Sequence, residues 1–242
     1  MRLWFGVPLS VMLAGLVVAP VVRSNAAPLD PGRRQRITLG HSVDGRPIVA
    51  IQTGDLDSPN RVLVVGCIHG NEPAGIAIAD RLAQMPPPSE LDLWIIPDLN
   101  HDGSVARTRG NAHGVDLNRN FPWRWRRLGG LYYSGTRPLS EPESRIAYSL
   151  IKHRRPAISI WFHEHLDVVD ASGGTAAIER RFARLSGERL ARLAREPGSA
   201  VGWENHHNPQ TTAFVVELPP GELGANSVER LSDAVIAIGR DS

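Results

Sequence analysis

Residues 61–75 read Arg61-Val62-Leu63-Val64-Val65-Gly66-Cys67-Ile68-His69-Gly70-Asn71-Glu72-Pro73-Ala74-Gly75. The run 62–65 is apolar without alternation, the mark of a strand buried on both faces. A polar loop follows, and Pro73 opens a helical pattern carrying Ile76, Ile78, Ala79 and Leu82. A buried strand passing through a loop into a helix is the unit of an α/β sheet. Towards the N-terminus, residues 37–39 and 47–51 flank Asp44-Gly45 and predict a hairpin. Towards the C-terminus, Pro86-Pro87-Pro88 stops the helix and residues 91–96 predict the next buried strand. Residues 100–140 are polar and lack periodicity; a loop of that length in a compact domain is usually functional or disordered. A helix is predicted over 140–154, with Ser140 as its cap and Glu143 at the capping-box position. Residues 158–162 and 213–218 read as strands, 175–195 as helical with a break at Gly187, and 227–238 as a closing helix. This alternation predicts a single α/β domain with a mixed, mainly parallel twisted sheet and helices on both faces.

The chain has 242 residues with 42% hydrophobic content, enough for one domain with a sizeable core, and this excludes a largely disordered or collagen-like protein. Residues 3–22 are apolar apart from Ser10, glycine and proline, with Arg2 in front and Ser24-Asn25-Ala26-Ala27 behind. The pattern predicts a secretory signal peptide over 1–26, cut after Ala26 or Ala27. An uncleaved membrane anchor is the alternative, because the stretch approaches the roughly 20 residues that span a bilayer. Residues 27–36 then read as a linker and 37–242 as the one folded domain, with no stable membrane association after cleavage. Lysine plus arginine number 27 against 25 acids, but Arg2 and Arg23 fall in the leader, where there is no acid. The remainder is formally neutral, so no domain-wide positive excess exists to attract nucleic acid. Cys67 is the sole cysteine, which excludes an internal disulfide and leaves stability to the core and a metal.

In open α/β sheets, sites lie at the carboxyl ends of strands. His69 and Glu72 follow the strand ending at Val65, His163 follows the strand ending at Phe162, and Glu217 lies in the strand ending at Leu218. Two histidines and a carboxylate with a fourth position open to water form an established catalytic zinc arrangement. A further carboxylate can then serve as general base on that water.

Four separated segments carry a family resemblance: His69-Gly70-Asn71-Glu72-Pro73-Ala74-Gly75, Asn100-His101-Asp102-Gly103, Gly114-Val115-Asp116-Leu117-Asn118-Arg119-Asn120-Phe121-Pro122, and Thr211-Thr212-Ala213-Phe214-Val215-Val216-Glu217-Leu218-Pro219. Together they resemble the zinc metallocarboxypeptidases of the carboxypeptidase A type, and within these the bacterial murein peptide amidase-like branch. The resemblance runs from about Ile37 to the C-terminus, and His101 departs from the family's proline. It implies one Zn2+ held by His69, Glu72 and His163, with His165 as the alternative third ligand, since period-two alternation points both histidines to one face. It implies Glu217 as general base, with Glu164 a weaker alternative. Arg109, selected over Arg107 by the context Thr108-Arg109-Gly110-Asn111, would polarise the scissile carbonyl, and Asn118 and Arg119 would hold a substrate carboxylate. A planar guanidinium suits both tasks, staying charged and binding two oxygens at once.

Many family members carry a tyrosine in the loop before the glutamate strand, and residues 197–214 contain none. Trp203, His206 and His207 lie in that loop, as pocket-lining candidates or as structural residues. Trp123-Arg124-Trp125-Arg126-Arg127 reads either as a grip on a polymer or as a solvated rim. The expected activity is a secreted zinc-dependent peptidase that hydrolyses an amide bond beside a free carboxylate, its substrate a peptide C-terminus or a muropeptide. The alternatives are a zinc-dependent deacylase of N-acyl amino acids and an inactive cell-wall peptide-binding module.

Overall fold

The computed structural model describes Met1 and residues 33–171, 173–174 and 176–240; the leader, its cleavage site and most of the linker lie outside the described residues. Strands β1 (Arg33–His41), β2 (Pro47–Gly54), β3 (Arg61–Val65), β4 (Asp92–Ile96), β5 (Ile158–Glu164), β6 (Val168–Asp170), β7 (Arg189–Ala191) and β8 (Thr212–Leu218) form one sheet in the order β1-β2-β4-β3-β5-β8-β6-β7. Between them run helices α1 (Ala74–Gln84), α2 (His101–Ala106), α3 (Pro142–Arg154), α4 (Ala176–Ser186) and α5 (Ala200–His207), and α6 (Ala225–Gly239) follows β8. The central strands β4, β3, β5 and β8 are parallel; β2 pairs antiparallel with both β1 and β4, and β6 pairs antiparallel with β8 but parallel with β7. The sheet is therefore mixed, with the parallel part in the middle, as the continuous apolar runs require. No helix among the described residues is long and apolar enough to cross a membrane.

Strand parity divides the interior into two cores. Val62 and Val64 of β3, Leu93 and Ile95 of β4, Ile158, Ile160 and Phe162 of β5, and Phe214 and Val216 of β8 pack with α1, α4 and α6. Leu63, Val65, Trp94, Ile96, Trp161 and Ala213 point the other way and pack with α3, α5 and the irregular segment around Leu117 and Phe121. The same alternation assigns His163 and Glu217 to this second face. They are register partners on the adjacent strands β5 and β8. Glu164 falls on the opposite face.

Three local expectations need correction. Arg33 to Arg36, read as linker, are already strand and pair with Gly54, Thr53, Gln52 and Ile51; their polar side chains on an exposed edge conceal the strand. The helical pattern over 175–195 stops at Ser186, where Gly187 takes φ +74°, and the chain then forms the short strand β7. Ser140 does not cap α3; Glu141 precedes it, and Ser140 Oγ instead donates to Glu141 Oε1 at 2.6 Å. Glu143 is buried and accepts from Val43 N–H and Asn111 Nδ2.

Below the site, Glu204 of α5 is fully buried and receives hydrogen bonds from Ser159 Oγ and, at 3.4 Å, from Trp161 Nε1. Burial raises its carboxyl to about 7. A carboxyl whose folded pKa lies above its unfolded value of 4.5 favours folding when protonated, so this contribution is complete at low pH and is lost as pH rises through about 7. The loss amounts to ~3 kcal/mol. Glu204→Gln should therefore leave stability nearly unchanged at pH 5 and raise it at pH 8, measured as the difference from wild type in urea unfolding. Equal effects at both pH values would show that Glu204 does not titrate in this range.

Candidate metal centre

The loop after β3 brings the first two residues together. Glu72 N–H closes a turn onto His69 O at 2.9 Å, and Asn100, which caps α2, donates from Nδ2 to Ile68 O. Gly70 is obligatory here, since a Cβ would lie 1.9 Å from the carbonyl carbon of Gly103. Gly75 lets α1 settle on the sheet, because a Cβ there would meet Gly66 O at 2.2 Å and Phe162 Cβ at 2.5 Å. Loop, helix and β5 are thus held at contact distance, and His163 enters from the end of β5.

His69 Nδ1 lies 2.9 Å from Glu72 Oε2, His163 Nδ1 lies 3.1 Å from the same oxygen, and the two Nδ1 atoms are 3.2 Å apart. All three side chains are buried. Such lone-pair-bearing atoms repel unless a cation or proton lies among them. Atoms 2.0–2.1 Å from a tetrahedral zinc stand roughly 3.3 Å apart, so the spacing and the donor types fit that ion. His165, the alternative ligand, is exposed beyond the end of β5 and outside this cluster.

Asp116, given no role above, proves central. It is fully buried, its Oδ1 lies 2.9 Å from His69 Nε2, and its Oδ2 accepts from Arg109 Nε at 2.9 Å. Arg109 Nη1 also donates to Glu72 Oε1 at 2.9 Å. Burial alone would lower His69, but the charge and hydrogen bond of Asp116 outweigh it and raise its pKa, whereas burial lowers that of His163. Burial pushes the Glu72 carboxyl upward, yet hydrogen bonds from His163 and His69 hold it well below the usual carboxylate range. Glu217 shows the reverse. Burial, reinforced by the charge of Glu72, pushes it up to about 7, and its Oε2 is buried without a hydrogen-bond partner among the described residues.

A cavity of about 360 Å³ opens on this group and is lined by His69, Glu72, His163 and Glu217 together with Arg109, Asn118 and Arg119. Asn118 is oriented by Ala200 N–H, which donates to its Oδ1 at 2.9 Å, so Nδ2 faces His163. Arg119 donates from Nη1 to Asn118 O at 2.9 Å, and Nη2 stands 3.4 Å from Glu196 Oε2. All the residues expected at the site are thus brought to one space. Arg107 is not among them; it is exposed in a left-handed conformation at the end of α2.

Glu164 accepts from Ala74 N–H at 2.7 Å, at the start of α1 on the opposite face of the sheet, and so anchors a helix. Trp203 is a core residue between Phe121 and Tyr148, and His207 stacks on it. Trp123 and His206 stack at 5.4 Å and both line the cavity. Trp125 donates from Nε1 to Ser134 O, while Arg124, Arg126 and Arg127 are exposed. Asp116 stands two residues before Asn118, but no spacing marks its role, because its partners are 47 and 7 positions away along the chain.

Comparison with known proteins agrees with this architecture. A family model described as zinc carboxypeptidase matches residues 88–169. Murein peptide amidase A of Vibrio campbellii is 31% identical over 217 residues, covering 83% of this chain and 86% of the relative. The protein of the same name from Escherichia coli K12 is 28% identical over 180 residues, covering 68% and 70%. Among solved structures, the murein-tripeptide amidase of Escherichia coli O157 has a TM-score of 0.69 at 24% identity, covering 90% of this chain and 95% of that one. The carboxypeptidase A of Helicoverpa armigera has a TM-score of 0.72 at 18% identity, covering 86% and 68%. These two likenesses establish the shared fold, and with the family match and the extent of the Vibrio alignment they show that the chain belongs to the zinc carboxypeptidase family of hydrolases.

Proposed function

We propose that the protein is an exported zinc-dependent amidase that hydrolyses an amide bond next to a free carboxylate in a cell-wall muropeptide. The observation that carries this reading is the opening of one metal-type triad, one high-pKa carboxyl and two arginines onto a single cavity. The murein amidases among its relatives supply the substrate class, and the apolar leader supplies export. His69, Glu72 and His163 would hold the zinc, which when bound supplies Lewis acidity to a water and a carbonyl.

The remaining chemistry belongs to the protein's own groups. Arg119 and Asn118 bind the substrate carboxylate and so set which amide bond is presented. Glu217 takes the proton of the attacking water on a carboxylate oxygen and returns it to the leaving nitrogen. Its Oε2, buried without a hydrogen-bond partner among the described residues, is available to carry that proton. Arg109, fixed by Asp116 and Glu72, presents its charge to the carbonyl oxygen as negative charge develops there.

The substrate is tested with purified protein and a panel of defined muropeptides, C-terminal dipeptides and N-acyl amino acids, read by mass spectrometry. Muropeptides should be cleaved in preference; preferential cleavage of N-acyl amino acids would replace this reading with the deacylase, and a zinc-loaded protein inactive on all three would replace it with the binding module. Glu217→Gln should lower kcat by at least ~10²-fold with zinc content intact, the scale of a lost general base. His163→Ala should purify without stoichiometric zinc while His165→Ala keeps it, as metal analysis will show. Asp116→Asn should weaken zinc ~10- to 100-fold, the usual cost of losing the partner of a ligating histidine. Unchanged affinity in competition with a chelator would remove Asp116 from that role.

A further inference from the structure

One aromatic ring serves both arginines of the cavity. The Tyr132 ring centroid lies 5.4 Å from Arg109 Cζ and 5.3 Å from Arg119 Cζ. Both arginines line the cavity, and Tyr132 is not among its lining residues. Tyr132 is 48% exposed. An exposed ring beside a cation is common on protein surfaces, but the turn that carries this one is tied to the site. Tyr133 O accepts from the N–H of Asp116 at 2.8 Å, the same residue whose carboxylate holds Arg109 and His69. Tyr133 N–H in turn donates to Gly130 O at 3.1 Å, and Ser134 O receives Asn120 Nδ2 and Trp125 Nε1. Gly130 takes φ +60° with open space around it, so glycine is used there to shape the turn and not to admit a neighbour.

The arginines explain why a ring suits this position. Arg119 Nε is buried without a hydrogen-bond partner among the described residues, and its nearest carboxylate, Glu196, is 47% exposed at 3.4 Å. A buried carboxylate would orient Arg119 firmly but would also neutralise the charge and occupy the N–H fork that an anionic substrate needs. A π face attracts a guanidinium while leaving its in-plane donors available. Resting on the roles proposed above for the two arginines, we infer that Tyr132 is a positioning residue whose ring holds Arg119, and supports Arg109 beside its ion pairs to Asp116 and Glu72, in the orientations that receive the carboxylate and the carbonyl of the substrate. Its contribution lies in the ring and not in the hydroxyl.

Tyr132→Phe and Tyr132→Leu separate these possibilities. The probes are a muropeptide ending in a free carboxylate and its C-terminal carboxamide. The Phe variant should match wild type within about 2-fold, because the π face is kept. The Leu variant should lose about 5- to 30-fold in kcat/KM on the free acid, the equivalent of two exposed cation–π contacts. The fall in kcat should be shared by both substrates and the rise in KM confined to the acid, with the thermal midpoint unchanged. A Phe variant as impaired as the Leu variant, or equal KM rises on both substrates, would overturn the inference. A second readout does not depend on turnover: the Nε–Hε NMR signals of Arg109 and Arg119 should shift and broaden in Tyr132→Leu and stay near their wild-type positions in Tyr132→Phe. Wild-type inactivity on every muropeptide would count against the proposed function alone. Unmoved arginine signals in the Leu variant would count against Tyr132 whatever the substrate proves to be.

Discussion

The carboxylate of Asp116 lies fully buried with His69 Nε2 on one oxygen and Arg109 Nε on the other, each at 2.9 Å. A carboxylate taken out of water is stable only when its charge is matched and its lone pairs are occupied, and these two partners do both together with the N–H of Asn118, which donates to Oδ1 at 2.9 Å. Their geometry then propagates. With Nε2 engaged, the ring of His69 turns Nδ1 towards Glu72 and His163. Arg109, held by Nε, reaches the far oxygen of Glu72 with Nη1, closing a circuit of contacts from Asp116 through His69 and Glu72 back to Arg109. Each member restricts the next, which is how a loop site attains the precision of a sheet.

The sheet supplies the rest. Because side chains alternate along a strand, one parity choice in β5 and β8 sends His163 and Glu217 to the face of the sheet that carries α3 and α5. Glu164, one residue on, is sent to α1 and accepts from its first N–H, that of Ala74. The segment from Arg107 to Ser140 has little regular structure, so its backbone groups need other partners. Buried amides provide them: Asn111 Oδ1 accepts from His113 N–H and Val115 N–H, and Asn120 Nδ2 donates to Ser134 O, Arg137 O and Ser140 Oγ. Asparagine can give and accept at once, and so it stitches an irregular chain where a helix or ladder would bond to itself.

This contrast explains what could be read from the amino acids alone. The central strands announce themselves because burial on both faces demands unbroken apolar runs, and the ligands are legible because they stand directly after those runs. Asp44-Gly45 shows the hairpin because Gly45 takes φ +79°. By contrast β6 and β7 have three residues each, too few for any period to appear. Arg33 to Arg36 look like linker because an edge strand can be polar on both faces. Asp116 and Tyr132 were present in view but silent. Their importance lies in contacts from an irregular segment to distant residues, and no spacing rule encodes those.

Two carboxylates in one cavity reach opposite states from the same starting chemistry. Glu72 is surrounded by His69, His163 and Arg109, and these hold it ionised. Glu217 is partly buried, makes no ion pair of that kind, and feels the negative charge of Glu72 more than the opposing charges of His69 and Arg109, so burial and that charge push it up to about 7. A pair of acids driven apart in this way can divide a reaction between a permanent charge and an exchangeable proton. In the proposed reaction the permanent charge helps to hold the cation and the exchangeable proton moves between water and leaving group. A cation among the three donors would draw Glu217 downward as well, since opposite charge favours the ionised form. Loading the metal would therefore favour the ionised, proton-accepting form of Glu217, so that occupancy of the triad and competence of the base arise together.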